Sequence, residues 1–221
     1  NAMTNPTLAP YAKEGECELR VTAKAERREQ AEALTAPVVE ELRTLLGDVV
    51  YGVDVPNLET AVLELLKEKG MTLGTAESCT GGLIAKRLTD IPGSSQVFRG
   101  GVVSYCNAVK AAALGVPRDL LEQYGAVSEP VARAMAEGAR KALDCGLALA
   151  ATGVAGPGDD ERGNPAGLVY LALAAPGRTF VRAITLSGAS RARVRTTAAH
   201  HALDLARRYL TGLPLEIGVQ T

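Results

Sequence analysis

A chain of 221 residues and 23.0 kDa can bury a core without disulfide or metal staples, as one large domain or a medium domain beside a small one. At 47% hydrophobic and 22% charged it is too apolar to stay disordered, and no apolar run reaches the roughly 18 residues of a membrane span. A net charge of −1 offers no general attraction to nucleic acid or anionic lipid.

The charge is uneven, however. Residues 11–57 carry six Lys/Arg against ten Asp/Glu, and residues 176–209 carry seven Arg against Asp204 alone. The second stretch suits either a local anion site or a solvated basic helix face. Cys17, Cys79, Cys106 and Cys145 are scattered without a Cys-x-x-Cys pair, which points to reduced thiols and a cytoplasmic protein. Asn1-Ala2-Met3 reads as the remnant of a cleaved tag on a shortened chain, and residues 1–10 as a flexible start. No basic stretch followed by an apolar run, the mark of a signal peptide, stands there.

Residues 15–25 alternate, with Cys17, Leu19, Val21 and Ala23 on one face, and predict a half-buried strand. Residues 26–46 have a helical stripe of Leu34, Val38, Leu42 and Leu45, interrupted by Pro37 and closed by Gly47. With a second strand over 48–54, this gives a small β-α-β unit over 11–55. Asn57 caps a helix with Leu58, Val62, Leu65 and Leu66 buried and Gly70 as its stop. Strands follow over 71–76, 101–105 and 147–152, the last continuously apolar as in a covered sheet centre. Helices fall over 82–89, 107–114, 117–124 and 129–143. A hairpin over 168–174 and 179–186 turns at Pro176-Gly177, and Ser190 caps a last helix to Tyr209. The alternation predicts a three-layer α/β/α domain over 57–212, with a mixed, mostly parallel sheet of about five strands and a tail over 213–221.

Ser78 stands where the first strand of that domain passes into a helix through Thr80-Gly81-Gly82. Free amides at such a turn can hold an anion or a developing oxyanion, and the glycines admit a ligand close to the backbone. The same spacing also suits Ser78 or Thr80 as a plain helix cap. The Walker pattern is absent, since no Gly-Lys pair occurs. The only histidines, His200 and His201, point about 100° apart on one helix and cannot pair on a metal. A serine nucleophile needs a base. Lys110, in Tyr105-Cys106-Asn107-Ala108-Val109-Lys110, can serve if desolvation lowers its pKa, with Tyr105 relaying or orienting. A surface lysine and a core tyrosine are the plainer readings. Thr152-Gly153-Val154-Ala155-Gly156-Pro157-Gly158 follows the central strand, where open α/β sheets bind ligands; a mobile loop is the alternative. Cys79 is either a rival nucleophile or a small buried residue.

Together these stretches resemble the CinA C-terminal domain family. The likeness rests on Thr75-Ala76-Glu77-Ser78-Cys79-Thr80-Gly81-Gly82, Asp90-Ile91-Pro92-Gly93-Ser94-Ser95, Arg99-Gly100-Gly101-Val102-Val103-Ser104-Tyr105, Gly125-Ala126-Val127-Ser128-Glu129 and Thr152-Gly153-Val154-Ala155-Gly156-Pro157. Residues 11–55 resemble the small KH-like linker domain that precedes it; the larger N-terminal domain of full-length family members is absent from this sequence. The resemblance implies a nicotinamide-nucleotide amidase of pyridine-nucleotide salvage, converting nicotinamide mononucleotide and water to nicotinate mononucleotide and ammonia. It implies Ser78 as nucleophile with Tyr105 and Lys110, and no metal or organic cofactor. Glu77, Thr80, Gly81, Gly82, Thr152, Gly153, Gly156 and Arg191 become the expected substrate contacts, with Arg191 toward the phosphate. A pyridine nucleotide as small-molecule partner and a homodimer are further implications. RNA binding is not expected, because the KH-like unit is acidic and has no G-x-x-G clamp. The chain departs from the family pattern at Cys106, Ala108, Asn164-Pro165-Ala166-Gly167 and Ser187-Gly188-Ala189-Ser190. These departures keep open a second reading, a non-catalytic nucleotide-binding or protein-interaction module linked to competence or DNA damage.

Overall fold

The computed structural model describes residues 4–13 and 15–215 and divides the chain into a unit ending at Val53 and a unit beginning at Asp54. In the first, β1 (Thr7–Lys13) and β2 (Glu16–Thr22) pair antiparallel, from Thr7 opposite Thr22 to Lys13 opposite Glu16. The helix α1 (Arg28–Leu46) follows and ends at Gly47. This ββα order corrects the expected β-α-β. The strand expected over 48–54 does not form: Gly47–Val49 is a short 3-10 turn, Asp54 has φ 56°, and the Tyr51 hydroxyl bonds the Glu16 carboxylate. Thr7–Pro10, expected in a flexible start, are held in β1. Asn1-Ala2-Met3 lie outside the described residues. Pro37 sits inside one continuous helix, and α1 buries no side chain.

The second unit carries the apolar core. Asn57 caps α2 (Leu58–Glu68), its side chain accepting the Thr60 amide at 2.9 Å. Leu58, Val62, Leu63 and Leu66 are buried there, each contributing about 2 kcal/mol. Next come β3 (Leu73–Glu77), α3 (Leu83–Thr89), β4 (Phe98–Val103), α4 (Asn107–Leu114), α5 (Arg118–Tyr124), α6 (Glu129–Ala142), β5 (Leu147–Gly153), β6 (Leu168–Ala175), β7 (Arg178–Thr185) and α7 (Arg191–Thr211). The five strands of this unit form one mixed sheet in the order β4-β3-β5-β6-β7. The β3 strand is parallel to both β4 and β5, while β6 runs antiparallel to β5 and β7. Four of the five strands therefore point one way.

On one face α6 packs across β3, β5, β6 and β7, with α4 and α5 against it; on the other α7 covers β5 and β6, with α2 and α3 beside it. Covered on both faces, β5 buries Leu147 through Ala151 completely. The strand order puts β3 between β4 and β5, so the segments leaving these three parallel strands gather at one end of the sheet, the usual ligand end of an α/β fold.

Candidate active site

Ser78 is the first residue beyond β3. Its amide donates to Ala151 O at 2.9 Å, tying it to the neighbouring strand. From the β4 side, α4 sends Lys110 inward. The Lys110 Nζ donates to Ser78 Oγ at 2.9 Å and to Ser104 O at 2.7 Å. Ser78 is 8% and Lys110 1% exposed, so the pair is withdrawn from water. Burial holds the Lys110 pKa below the usual lysine range, against the opposing pull of the Cys79 and Cys106 thiols. A lysine so placed carries an accessible neutral form and touches the oxygen it would deprotonate.

The turn that presents Ser78 is built from within. Gly81 and Gly82 have φ of 61° and 90°, the left-handed region open to glycine. The Gly81 amide closes onto Ser78 O and the Leu83 amide onto Thr80 O. Glu77, expected among the substrate contacts, is 1% exposed and accepts the Ile84 and Ala85 amides at 3.0 and 2.8 Å. Its carboxylate thus caps α3 and clamps the turn. These bonds also engage much of the amide set reserved above for an oxyanion. The Cys79 and Thr80 amides lie against the Cys79 thiol, whose pKa burial pushes up to about 11. That thiol is neutral, which argues against Cys79 as the nucleophile.

Tyr105 is 60% exposed, and its hydroxyl accepts from Arg191 at 2.9 Å rather than meeting Ser78 or Lys110. Arg191 also donates to Gly156 O at 2.9 Å, bridging the segments that leave β4 and β5 on either side of Ser78. The Thr152 hydroxyl, expected to face substrate, donates to Ala126 O at 2.7 Å. Gly153 is a packing residue: a Cβ there would lie 2.5 Å from Leu168 O. The loop after it is ordered by its own acids, since Asp160 accepts the Arg162 and Asn164 amides and Asp159 the Ala166 amide. Thr80 is fully buried and its carbonyl accepts from Arg195 at 2.9 Å, a brace the sequence reading missed. The four-residue spacing of Arg191 and Arg195 on α7, which sets them on one face, was its available signal.

A cleft along the outer stripe of α4, between Asn107, Ala111, Arg118 and Arg162, contains neither Ser78 nor Lys110. His201 is half-buried against Arg182, with Nδ1 3.0 Å from the guanidinium, and desolvation with that charge lowers its pKa to about 4. Among the described residues no cluster of three His, Cys, Asp or Glu is arranged to hold a metal, and no helix is long and apolar enough to cross a membrane.

Comparison with known proteins agrees with this architecture. Residues 56–210 match the CinA C-terminal domain, and residues 1–52 the damage-inducible protein CinA KH domain. A CinA-like protein of Desulfovibrio desulfuricans is 50% identical over 216 residues, covering 97% of this chain and 51% of the relative. A CinA-like protein of Dictyoglomus thermophilum is 48% identical over 210 residues, covering 95% and 51%. The chain therefore spans about half the length of the curated relatives it matches. Among solved structures, the competence/damage inducible protein CihA from Agrobacterium tumefaciens superposes with a TM-score of 0.67 at 37% identity, over 73% of this chain and 98% of that one.

Proposed function

The chain belongs to the CinA family, and from that membership together with its buried serine–lysine pair we propose that it is a nicotinamide-nucleotide amidase. It would hydrolyse nicotinamide mononucleotide to nicotinate mononucleotide and ammonia in pyridine-nucleotide salvage. The observation that carries the reading is the 2.9 Å contact between Ser78 Oγ and Lys110 Nζ, with the amine buried and its pKa depressed. In this mechanism Ser78 Oγ attacks the carboxamide carbon while its proton passes directly to neutral Lys110. The resulting ammonium then protonates the departing nitrogen, and water releases the nicotinoyl group from Ser78 by the reverse proton path. The direct contact makes a relay through Tyr105 unnecessary. Tyr105 instead holds Arg191, whose guanidinium turns to the substrate's phosphate. The Gly82 amide is the turn's remaining donor toward the oxyanion. Gly81 and Gly156, at positive φ, let the backbone of the two flanking segments approach the nucleotide.

The reading extends to a homodimer working in the cytoplasm, with no nucleic-acid partner. A second reading, a nucleotide-binding or protein-interaction module without turnover, is favoured by one observation: the groups expected to grip substrate are satisfied internally, Arg191 by Gly156 and Tyr105, and Thr152 by Ala126. Incubation with nicotinamide mononucleotide separates the two. The amidase yields ammonia and nicotinate mononucleotide in equal amounts; folded protein that binds the nucleotide and yields neither product supports the module.

A further inference from the structure

A second serine stands beside the Ser78–Lys110 pair. The β3–β4 register pairs Ala76 with Val102 and Glu77 with Val103, and it continues one step further, the Ser104 amide donating to Glu77 O at 2.8 Å. Side chains alternate faces along a strand. Ala76 and Val102 both pack into the core on the α6 side, so Ser78 and Ser104 fall on that same face as cross-strand neighbours. Lys110 enters on this face from α4. Ser104 is fully buried, and its Oγ has no hydrogen-bond partner, although its own carbonyl is one of the two oxygens that Lys110 Nζ holds. A buried hydroxyl without a partner is unusual and calls for an explanation.

The proton count supplies one. A neutral lysine amine has two N–H donors and a lone pair, whereas the ammonium has three donors and no lone pair. Lys110 holds two oxygens, Ser78 Oγ and Ser104 O, so its charged form has one N–H to place in a dry pocket. From this geometry we infer that Ser104 Oγ is the acceptor for the third N–H of protonated Lys110, making Ser104 a positioning residue for the proton transfer. The inference rests on the amidase reading for its catalytic meaning. When Ser78 Oγ bonds the carboxamide carbon, its O–H bond breaks and the proton takes the Lys110 lone pair. The new N–H points along the Ser78 contact by which it arrived, a second stays on Ser104 O and the third is held by Ser104 Oγ, a contact released when a proton leaves for the departing nitrogen. The hydroxyl changes partner without gaining or losing a proton overall.

Other titratable groups facing the Lys110 amine are the thiols of Cys79, on the turn after β3, and Cys106, at the start of α4. The Glu77 carboxylate is engaged by the α3 amides, and α6 packs apolar residues, Val131, Met135 and Ala139 among them, into the core on this face. Ser104 Oγ is therefore a third neutral oxygen, beside Ser78 Oγ and Ser104 O, that can favour the ammonium.

The experiment is a titration of the lysine side-chain resonances by NMR, without substrate, in the parent, Ser104→Ala and Ser104→Thr. The Lys110 signal is assigned by its loss in Lys110→Met. Loss of an acceptor from a charged donor lowers the Lys110 pKa in Ser104→Ala by about one unit, and Ser104→Thr, which keeps the hydroxyl, stays near the parent. In parallel, Ser104→Ala lowers kcat about tenfold at unchanged KM and moves the acid limb of the pH–rate profile to lower pH. An unchanged Lys110 titration in folded Ser104→Ala overturns the inference. The titration needs no turnover, so a parent that releases no ammonia defeats the amidase reading while leaving this result to be read.

Discussion

Glu77→Gln removes the charge that holds the Ser78 turn while changing the side-chain volume little. In the parent each carboxylate oxygen accepts one amide, Ile84 at 3.0 Å and Ala85 at 2.8 Å, and the residue is 1% exposed. Glutamine offers one oxygen and turns an NH2 toward the other amide, donor against donor. One charge-assisted bond, about 1.5–3 kcal/mol, is lost, and the favourable meeting of a carboxylate with the start of α3 adds about 0.5 kcal/mol. The expected destabilisation is about 2–3.5 kcal/mol, which for a domain of this size lowers Tm by about 4–14 °C. Urea and thermal unfolding, each at constant pH, read the effect. The Ser78–Lys110 contact depends on the same turn, so the folded variant also loses kcat. A variant within about 0.5 kcal/mol of the parent refutes the clamp and returns Glu77 to the set of residues free to meet substrate.

Further expectations concern single groups. Tyr105→Phe takes one partner from Arg191, so KM for nicotinamide mononucleotide rises about two- to tenfold with kcat nearly unchanged; a collapse of kcat instead would restore Tyr105 to the proton path. Lys110 has a folded pKa below its unfolded value, so the unfolded chain binds the extra proton between them and stability rises with pH across that window. Lys110→Met is therefore more stabilised over the parent at low pH than at high pH, and a gain that grows with pH contradicts the assignment. His201, lowered from 6.5 to about 4 by desolvation, then Arg182 and His200, against the opposing pull of Asp204, stabilises the fold above pH 6.5. That stability, about 3 kcal/mol at most, drains away as pH falls to 4, and urea unfolding of His201→Gln over this range is correspondingly flatter.

How far the sequence spoke depended on how local each signal was. The Asn57 and Ser190 caps were readable because each needs one side chain three residues from its amide, and both form. The apolar run of β5 announced its place at the sheet centre. Ser78 and Lys110, 32 residues apart, came together because each follows a parallel strand and the two strands are neighbours. The first unit was harder. Tyr11 and Lys13 in β1 are exposed and Pro10 interrupts its pattern, so β1 shows no clean alternation and the partner of β2 is expected after α1 instead of before β2. Over 48–54 the apolar residues suggested a strand, but the chain turns at Asp54 and Tyr51 is held by Glu16.

Within the site, the ambiguous residues were those whose chemistry suits two employments. Glu77 caps a helix, Thr152 bonds a carbonyl 26 residues away, and Gly153 clears space for β6. Only the tertiary partners distinguish these roles from ligand contact. Ser104 carries no signal of its own in the sequence: its place on the face of Ser78 follows from the β3–β4 register that pairs Ala76 with Val102.

The most direct measurement is ammonia release from nicotinamide mononucleotide by the parent, Ser78→Ala and Lys110→Met, with folding of each verified first. The account predicts release by the parent and none above the uncatalysed background in either variant. Release that persists in Ser78→Ala, or a folded parent that releases none, contradicts it.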